Sequence, residues 1–339
     1  MPARGETVFT LLCLAYQELF FNGSAAIPIL IISRKDPLRD KLRTSAMKKK
    51  SIPVSPGTSG PVFSPGIPTD PAVTEFRDRV LSFYKAHGRH DMLWRHTDDP
   101  YRILVSEIML QQTQVDRVAL RYPAFIAAFP DAAALARAPL ADVLAAWQGM
   151  GYNRRAVSLK KCAEKMAGEF NGTLPPDPAV LATFPGIGPA TAASICAFAY
   201  NLPVVFIETN IRRVFIHFFF SGADTVTDAE IFPLVEQTLD RENPRAWYWA
   251  LMDLGADLKK KVPNPNRRST AYVKQAPFAG SDRRIRGMVL RFVIGNAPAR
   301  EKAIVMAVAE DPARVRRILA TLENEGFIAR GKDGYRIAE

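Results

Sequence analysis

The chain of 339 residues is 48% apolar and carries 45 Lys and Arg against 34 Asp and Glu, a net charge of +11. This balance suits two or more soluble domains with a sizeable core and favours a polyanionic partner, nucleic acid ahead of an anionic membrane surface. The three cysteines, Cys13, Cys162 and Cys196, lie far apart with no CxxC. That excludes a disulfide framework and a four-cysteine metal site, and it points to a reducing, cytoplasmic setting.

Residues 1–70 read as a peripheral, disordered leader. Their apolar runs, Thr7–Phe21 and Ala25–Ile32, are broken by Asn22-Gly23-Ser24 and fall short of the roughly 20 residues of a membrane span, so no membrane partner is expected. From Lys48 to Pro71 the chain is rich in Lys, Pro, Ser and Gly, and Met47 makes a credible start for the working protein.

Helical periodicity begins near Pro71, with Phe76, Val80, Phe83 and Tyr84 on one face. From Tyr101 to Gly222 nearly every segment reads as a modest helix, with little β content. In VSEIMLQQTQVDRV (Val105–Val118) the spacing puts Glu107, Gln111 and Gln114 on one helix face, opposite Ile108, Met109 and Val115. A solvated surface face would show the same pattern. Gln111, Gln112 and Gln114, however, offer amide donors and acceptors without charge, which suits reading base edges. APLADVLAAW (Ala138–Trp147) has Pro139 near the first turn of a further helix.

FPGIGPATAASICAFAY (Phe184–Tyr200) sets Gly186 and Gly188 before a small-residue helix that opens at Thr191. Such glycines let backbone amides and the positive helix end approach an anion, although a plain packing turn also uses them. In VVFIETNIRRVF a strand-like apolar run halts at Glu208, and Asn210, Arg212 and Arg213 follow. Glu208 can also cap the helix Asn210–Phe220. Ten basic residues between Lys259 and Arg291, Arg267 and Arg268 among them, face only Asp282, which reads as a phosphate-tracking strip. Beyond Asp282 come a helix at Glu301–Val308, a helix capped by Asp311 with Pro312 in its first turn, and a hairpin around Asp333-Gly334. Together they read as a winged helix, a module that binds DNA or protein.

YRILVSEIMLQQTQV, WQGMGYNRRA, FPGIGPATAAS, ETNIRRV and ALMDLGA stand in the order and spacing of the helix-hairpin-helix DNA glycosylases. Over about residues 75–258 the chain most resembles the adenine glycosylases of the MutY branch. The resemblance implies a mainly α fold, with two helical subdomains holding a flipped base in the cleft between them. The expected order is a glycosylase domain at 71–258, a basic linker at 259–281 and a winged-helix-like α+β module at 282–339. Glu107 matches the acid that protonates the departing purine. Glu208 matches the position of a charge-stabilising aspartate, with Arg212 and Arg213 serving phosphates or holding that acid ionised. Gln111, Gln112, Gln114, Tyr152, Asn210 and Trp249 match or flank base-pocket and DNA-reading positions. Gly186, Gly188 and Thr191 match the hairpin that grips a phosphate, often with a bound monovalent cation.

The chain also departs from the pattern. Glu208 is one methylene longer than the aspartate. Ala190 fills the slot where lyase-competent relatives carry a lysine, which implies a monofunctional enzyme using water. Trp249 replaces a polar residue and suits stacking on a base. The four-cysteine iron–sulfur loop is missing after LMDLGA, so no cluster and no metal are expected. The winged helix stands where the adenine branch reads 8-oxoguanine. The expected function is excision of adenine opposite guanine or 8-oxoguanine in double-stranded DNA, by a monomer of the cytoplasm and nucleoid. Thymine or uracil mismatch excision is the alternative, and a non-catalytic DNA-binding or regulatory protein is the alternative from another class.

Overall fold

The computed structural model describes residues 70–275 and 277–339; Cys13, Met47 and the rest of residues 1–69 lie outside them. Fourteen helices and one two-stranded sheet are present among these residues. They are α1 (Asp70–His87), α2 (Pro100–Leu110), α3 (Val115–Ala128), α4 (Ala132–Arg137), α5 (Leu140–Ala146), α6 (Arg154–Glu169), α7 (Pro178–Leu181), α8 (Pro189–Tyr200), α9 (Thr209–Phe219), α10 (Asp228–Thr238), α11 (Pro244–Lys261), α12 (Asp282–Asn296), α13 (Glu301–Val308) and α14 (Pro312–Asn324). Strands β1 (Ile328–Gly331) and β2 (Gly334–Ile337) pair antiparallel at the C-terminal end.

The helix starts follow local chemistry. Asp99 caps α2 by accepting from the amides of Tyr101 and Arg102, with Pro100 in the first turn. Asp311 and Pro312 open α14 in the same way, and Thr227 and Glu230 form a capping box on α10. The hairpin turns at Lys332-Asp333, and Tyr335 pairs back onto Ala299 between α12 and α13. Three helices with such a hairpin form the winged-helix-like α+β end of the chain.

Two apolar cores divide the helices. Phe125, Trp147, Leu159 and Ile195 sit in one, which continues through Ile285, Val289 and Leu322 of the C-terminal helices. The other joins α1 to α9, α10 and α11, with Phe76 ringed by Phe215, Phe218, Phe219 and Trp247. Helix α8 contributes to both cores, Ile195 to the first and Ala197 and Phe198 to the second. The cleft of interest opens between these lobes, as the two-subdomain reading expected. One expectation fails here: Val204–Ile207 forms no strand. Its apolar side chains pack into the second lobe instead, Phe206 against Tyr248, whose hydroxyl donates to the Val204 carbonyl. The run is a half-buried connector, and among the described residues no strand lies beside it to pair with.

Candidate active site

A cavity of about 840 Å³ lies between the lobes and is lined by Glu107, Glu208, Gln111, Gln112, Gln114, Asn210 and Trp249. The sequence spacing had put Glu107, Gln111 and Gln114 along one helix. In the structure α2 stops at Leu110. Gln111 is its C-terminal cap, Gln112 takes a left-handed conformation (φ 53°), and Gln114 caps α3. The chain therefore breaks and wraps round the cavity rather than running past it. A helix break was hard to foresee in a stretch with no Gly or Pro. Arg155, which sequence reasoning missed, holds the break by donating to the carbonyls of Ile108, Met109 and Gln111 and to the Thr113 hydroxyl. These carbonyls at the end of α2 lack intrahelical partners, so one guanidinium replaces a turn of helix. Burial pulls the Arg155 pKa down to about 10, still far above neutrality.

Glu107 reaches the cavity from α2. The Ser194 hydroxyl on α8 donates to its Oε2 at 2.6 Å, and Oε1 has no partner among the described residues. Burial pushes the Glu107 carboxyl up to about 7; the Ser194 hydrogen bond opposes that rise and the nearby negative charge of Glu208 adds to it. Glu208 comes from the opposite lobe and caps α9, its Oε1 accepting from the amides of Asn210 (2.6 Å) and Ile211 (2.9 Å). The Asn210 side chain donates to Oε2 at 3.3 Å. Burial pushes this carboxyl up as well, against the two amide hydrogen bonds and the charges of Arg213 and Arg212. The capping role read from the sequence is real, and it coexists with exposure of the same carboxylate to the cavity.

The two arginines after Glu208 are not free for phosphates. Arg212 pairs with Asp228 at 2.6 and 2.7 Å. Arg213 is buried, donating to the Asn210 side chain (2.6 Å), the Gly255 carbonyl and Asn264. It orients Asn210 and thereby steadies Glu208 at one remove. A β-carbon at Gly255 would lie 2.3 Å from the Asn210 carbonyl, so only glycine lets α11 back onto the start of α9.

Trp249 forms an aromatic wall, nearly parallel to Phe198 (18°, centroids 6.0 Å apart), with the Arg95 guanidinium 5.4 Å from its ring. Arg95 is in turn held by a bidentate pair with the buried Asp253, which also binds Arg89. Ala190 and Thr191 line the same cavity, and Gln111 donates to the Thr191 hydroxyl at 3.4 Å. In the hairpin, Gly186 is left-handed (φ 76°) and a β-carbon there would meet Ser158 at 2.8 Å. Gly188 caps α8 without a side-chain hydrogen bond, with open space where a β-carbon would sit.

Tyr152 lies elsewhere, in a second cavity of about 680 Å³ between the first lobe and α12. Its hydroxyl meets Gln275 and Arg283. Arginines 117, 154, 155, 283, 284, 286 and 291 line this cavity, no acid does, and Gln111 and Gln112 border both cavities. The idea that the basic strip faces only Asp282 needs correction, because acids outside that stretch of sequence pair with it. Arg284 pairs with Glu310, Arg286 and Arg154 pair with Glu325, and Lys261 pairs with Asp257. Arg268 is not a phosphate ligand either: it donates to the carbonyls of Phe220, Ser221, Ala223 and Ile216, closing the end of α9. Arg267, beside it, is exposed.

Among the described residues no three His, Cys, Asp or Glu side chains gather to hold a metal ion, and no helix is long and apolar enough to cross a membrane. An iron–sulfur loop after α11 has nothing to be built from, since no cysteine follows Cys196.

Residues 105–235 match the HhH-GPD superfamily of base excision DNA repair proteins. The adenine DNA glycosylase of Mycolicibacterium smegmatis is 33% identical over 75% of this chain and 93% of its own length. That of Mycobacterium tuberculosis CDC 1551 is 32% identical over 80% of this chain and 97% of its length. The thymine/uracil-DNA glycosylase of Pyrobaculum aerophilum is 34% identical over 44% of this chain and 65% of its length.

Proposed function

We propose, from the premise that the chain belongs to the adenine DNA glycosylases of the HhH-GPD superfamily, that this DNA N-glycosylase removes adenine opposite guanine or 8-oxoguanine. The observation that carries the chemistry is the pair of carboxylates facing one cavity from opposite lobes, unequal in their hydrogen bonds. Glu107, with one donor, holds a proton near neutral pH and delivers it to the departing purine, whose N-glycosidic bond breaks as the sugar becomes cationic. Glu208, with two amides and a side-chain amide, keeps its charge and faces that cation. Its extra methylene is taken up by the cap geometry, which draws the carboxylate back over the start of α9. Water then adds to the sugar, because Ala190 offers no amine for a covalent adduct. Gln111, Gln112, Gln114 and Asn210 read base edges, and Trp249 stacks on the flipped base.

In this reading residues 71–258 are the catalytic domain, 259–281 a linker and 282–339 a module that helps hold the duplex. The Gly186–Gly188 turn takes a backbone phosphate, with a monovalent cation where one is bound. The arginine-lined second cavity takes phosphates of the double-stranded substrate, with Arg117 and Arg291 exposed for that task. The protein works as a monomer in the cytoplasm and nucleoid, without a metal cofactor. The aromatic wall of Trp249 and Phe198 favours one second reading, excision of thymine or uracil opposite guanine, since it stacks on a pyrimidine without asking for purine hydrogen bonds.

Single-turnover excision on a panel of mismatched duplexes tests the assignment. Cleavage of adenine opposite 8-oxoguanine or guanine, with abasic sites that break only after alkali, is the expected result. Release of thymine or uracil in place of adenine would transfer the assignment to the second reading, and no release from any duplex would end both.

A further inference from the structure

We propose that Ser194 is a positioning residue for Glu107, its hydroxyl occupying Oε2 so that the acidic proton resides on Oε1, the oxygen that delivers it. The inference rests on Glu107 as the proton donor. Ser194 is 4% exposed and sits on α8, whereas Glu107 sits on α2, so the contact is tertiary and not an accident of one helix. A serine hydroxyl carries a single proton, and two acceptors compete for it: Glu107 Oε2 at 2.6 Å and the Thr191 carbonyl one turn back at 3.0 Å. The carboxylate is nearer and, when ionised, the stronger acceptor. The Thr191 bond is the ordinary back-bond of a helical serine and does not explain why a buried hydroxyl points at an acid.

A carboxylic acid can place its proton on either oxygen and rotate about its last bond. An acid that must deliver a proton in one direction loses part of its rate to both freedoms. Donation to Oε2 removes them. Oε2 is then an acceptor in both protonation states, and the proton goes to Oε1, which has no partner among the described residues and belongs to a side chain lining the cavity. The placement also links two parts of the molecule. Ser194 is six residues beyond Gly188, about 9 Å along α8, so the helix whose open end faces solvent at the Gly186–Gly188 turn also fixes the acid.

Single-turnover excision by wild type, Ser194→Ala and Ser194→Thr across pH tests this. Alanine suits the helix and leaves the fold intact, which equal duplex affinity and thermal melting check. For Ser194→Ala the plateau rate should fall about tenfold. The midpoint at which the rate declines on the alkaline side should move up by about one pH unit, since the ionised form loses a donor. Ser194→Thr, which keeps the hydroxyl, should return the midpoint towards wild type. An unmoved midpoint in Ser194→Ala overturns the proposal even where the plateau drops, because a merely structural role lowers the rate without shifting the titration. A wild type with activity but no alkaline decline would instead remove Glu107 as the donor, and the two failures are therefore distinguishable.

Discussion

The two walls of the cleft treat a carboxylate differently. On the α2 wall, Glu107 has one hydroxyl donor, no backbone amide and a like charge nearby, so burial wins and the proton stays until about pH 7. On the α9 wall, Glu208 is buried too, yet it sits at a helix start with two amides aimed at it and two arginines nearby. Burial pushes both carboxyls up. The helix end opposes that rise with donors that favour the anion while the helix side offers one hydroxyl, and the proposed roles of acid and counter-charge rest on that difference. In the proposed assignment, acid and counter-charge follow from where each side chain leaves its helix, with the residue type held constant.

Removing the proton donor should break the comparison most severely. Glu107→Gln should lower single-turnover excision by about 10²–10⁴-fold while leaving duplex binding near wild type. The same substitution should alter stability with a defined sign. A carboxyl whose folded pKa is raised from 4.5 to about 7 stabilises the fold fully below about pH 4.5 and loses that contribution as pH rises through 7. Glutamine cannot ionise, so at pH about 8 the variant should melt higher than wild type, by on the order of 2 kcal/mol, with the gap closing in acid. A gap that widened in acid would contradict the assignment.

The opposite wall should respond next. Glu208→Gln should cost about 10²–10³-fold in excision through loss of the charge. Glu208→Asn keeps an adequate cap and should be equally inactive, and Glu208→Asp should be slow but active. Activity in the Asn variant would reduce Glu208 to its capping role.

Two adjacent arginines sharpen a smaller contrast. Arg268→Ala orphans several carbonyls at the end of α9 and should destabilise by about 2 kcal/mol in chemical denaturation. Arg267→Ala should stay within about 0.5 kcal/mol of wild type. Smallest of all, replacing Arg117 and Arg291 with Ala should weaken every duplex alike and flatten the salt dependence of binding by about 0.9 for each phosphate no longer neutralised. Weakening confined to one mismatch would place them in base reading instead.

Much of this frame is legible in the sequence because it rests on local signals. Asp311 with Pro312, the hairpin at Asp333-Gly334, and Glu208 before its helix are each decided within a few residues. What the sequence hides is set by distant partners. The break after Leu110 depends on Arg155, which lies more than forty positions away. The idle appearance of Arg268, Arg284 and Arg286 vanishes once Phe220, Glu310 and Glu325 fold against them. Ser194 is one small residue in an alanine-rich helix, and nothing in its neighbours along the chain marks it as a partner of Glu107.

The division of labour between the two carboxylates is tested most directly by the pH dependence of single-turnover excision by the wild-type protein on a duplex with adenine opposite 8-oxoguanine. If Glu107 must be protonated while Glu208 stays charged, the rate should decline tenfold per pH unit above a midpoint near 7. A rate that stays level or rises through about pH 8.5 would contradict the account.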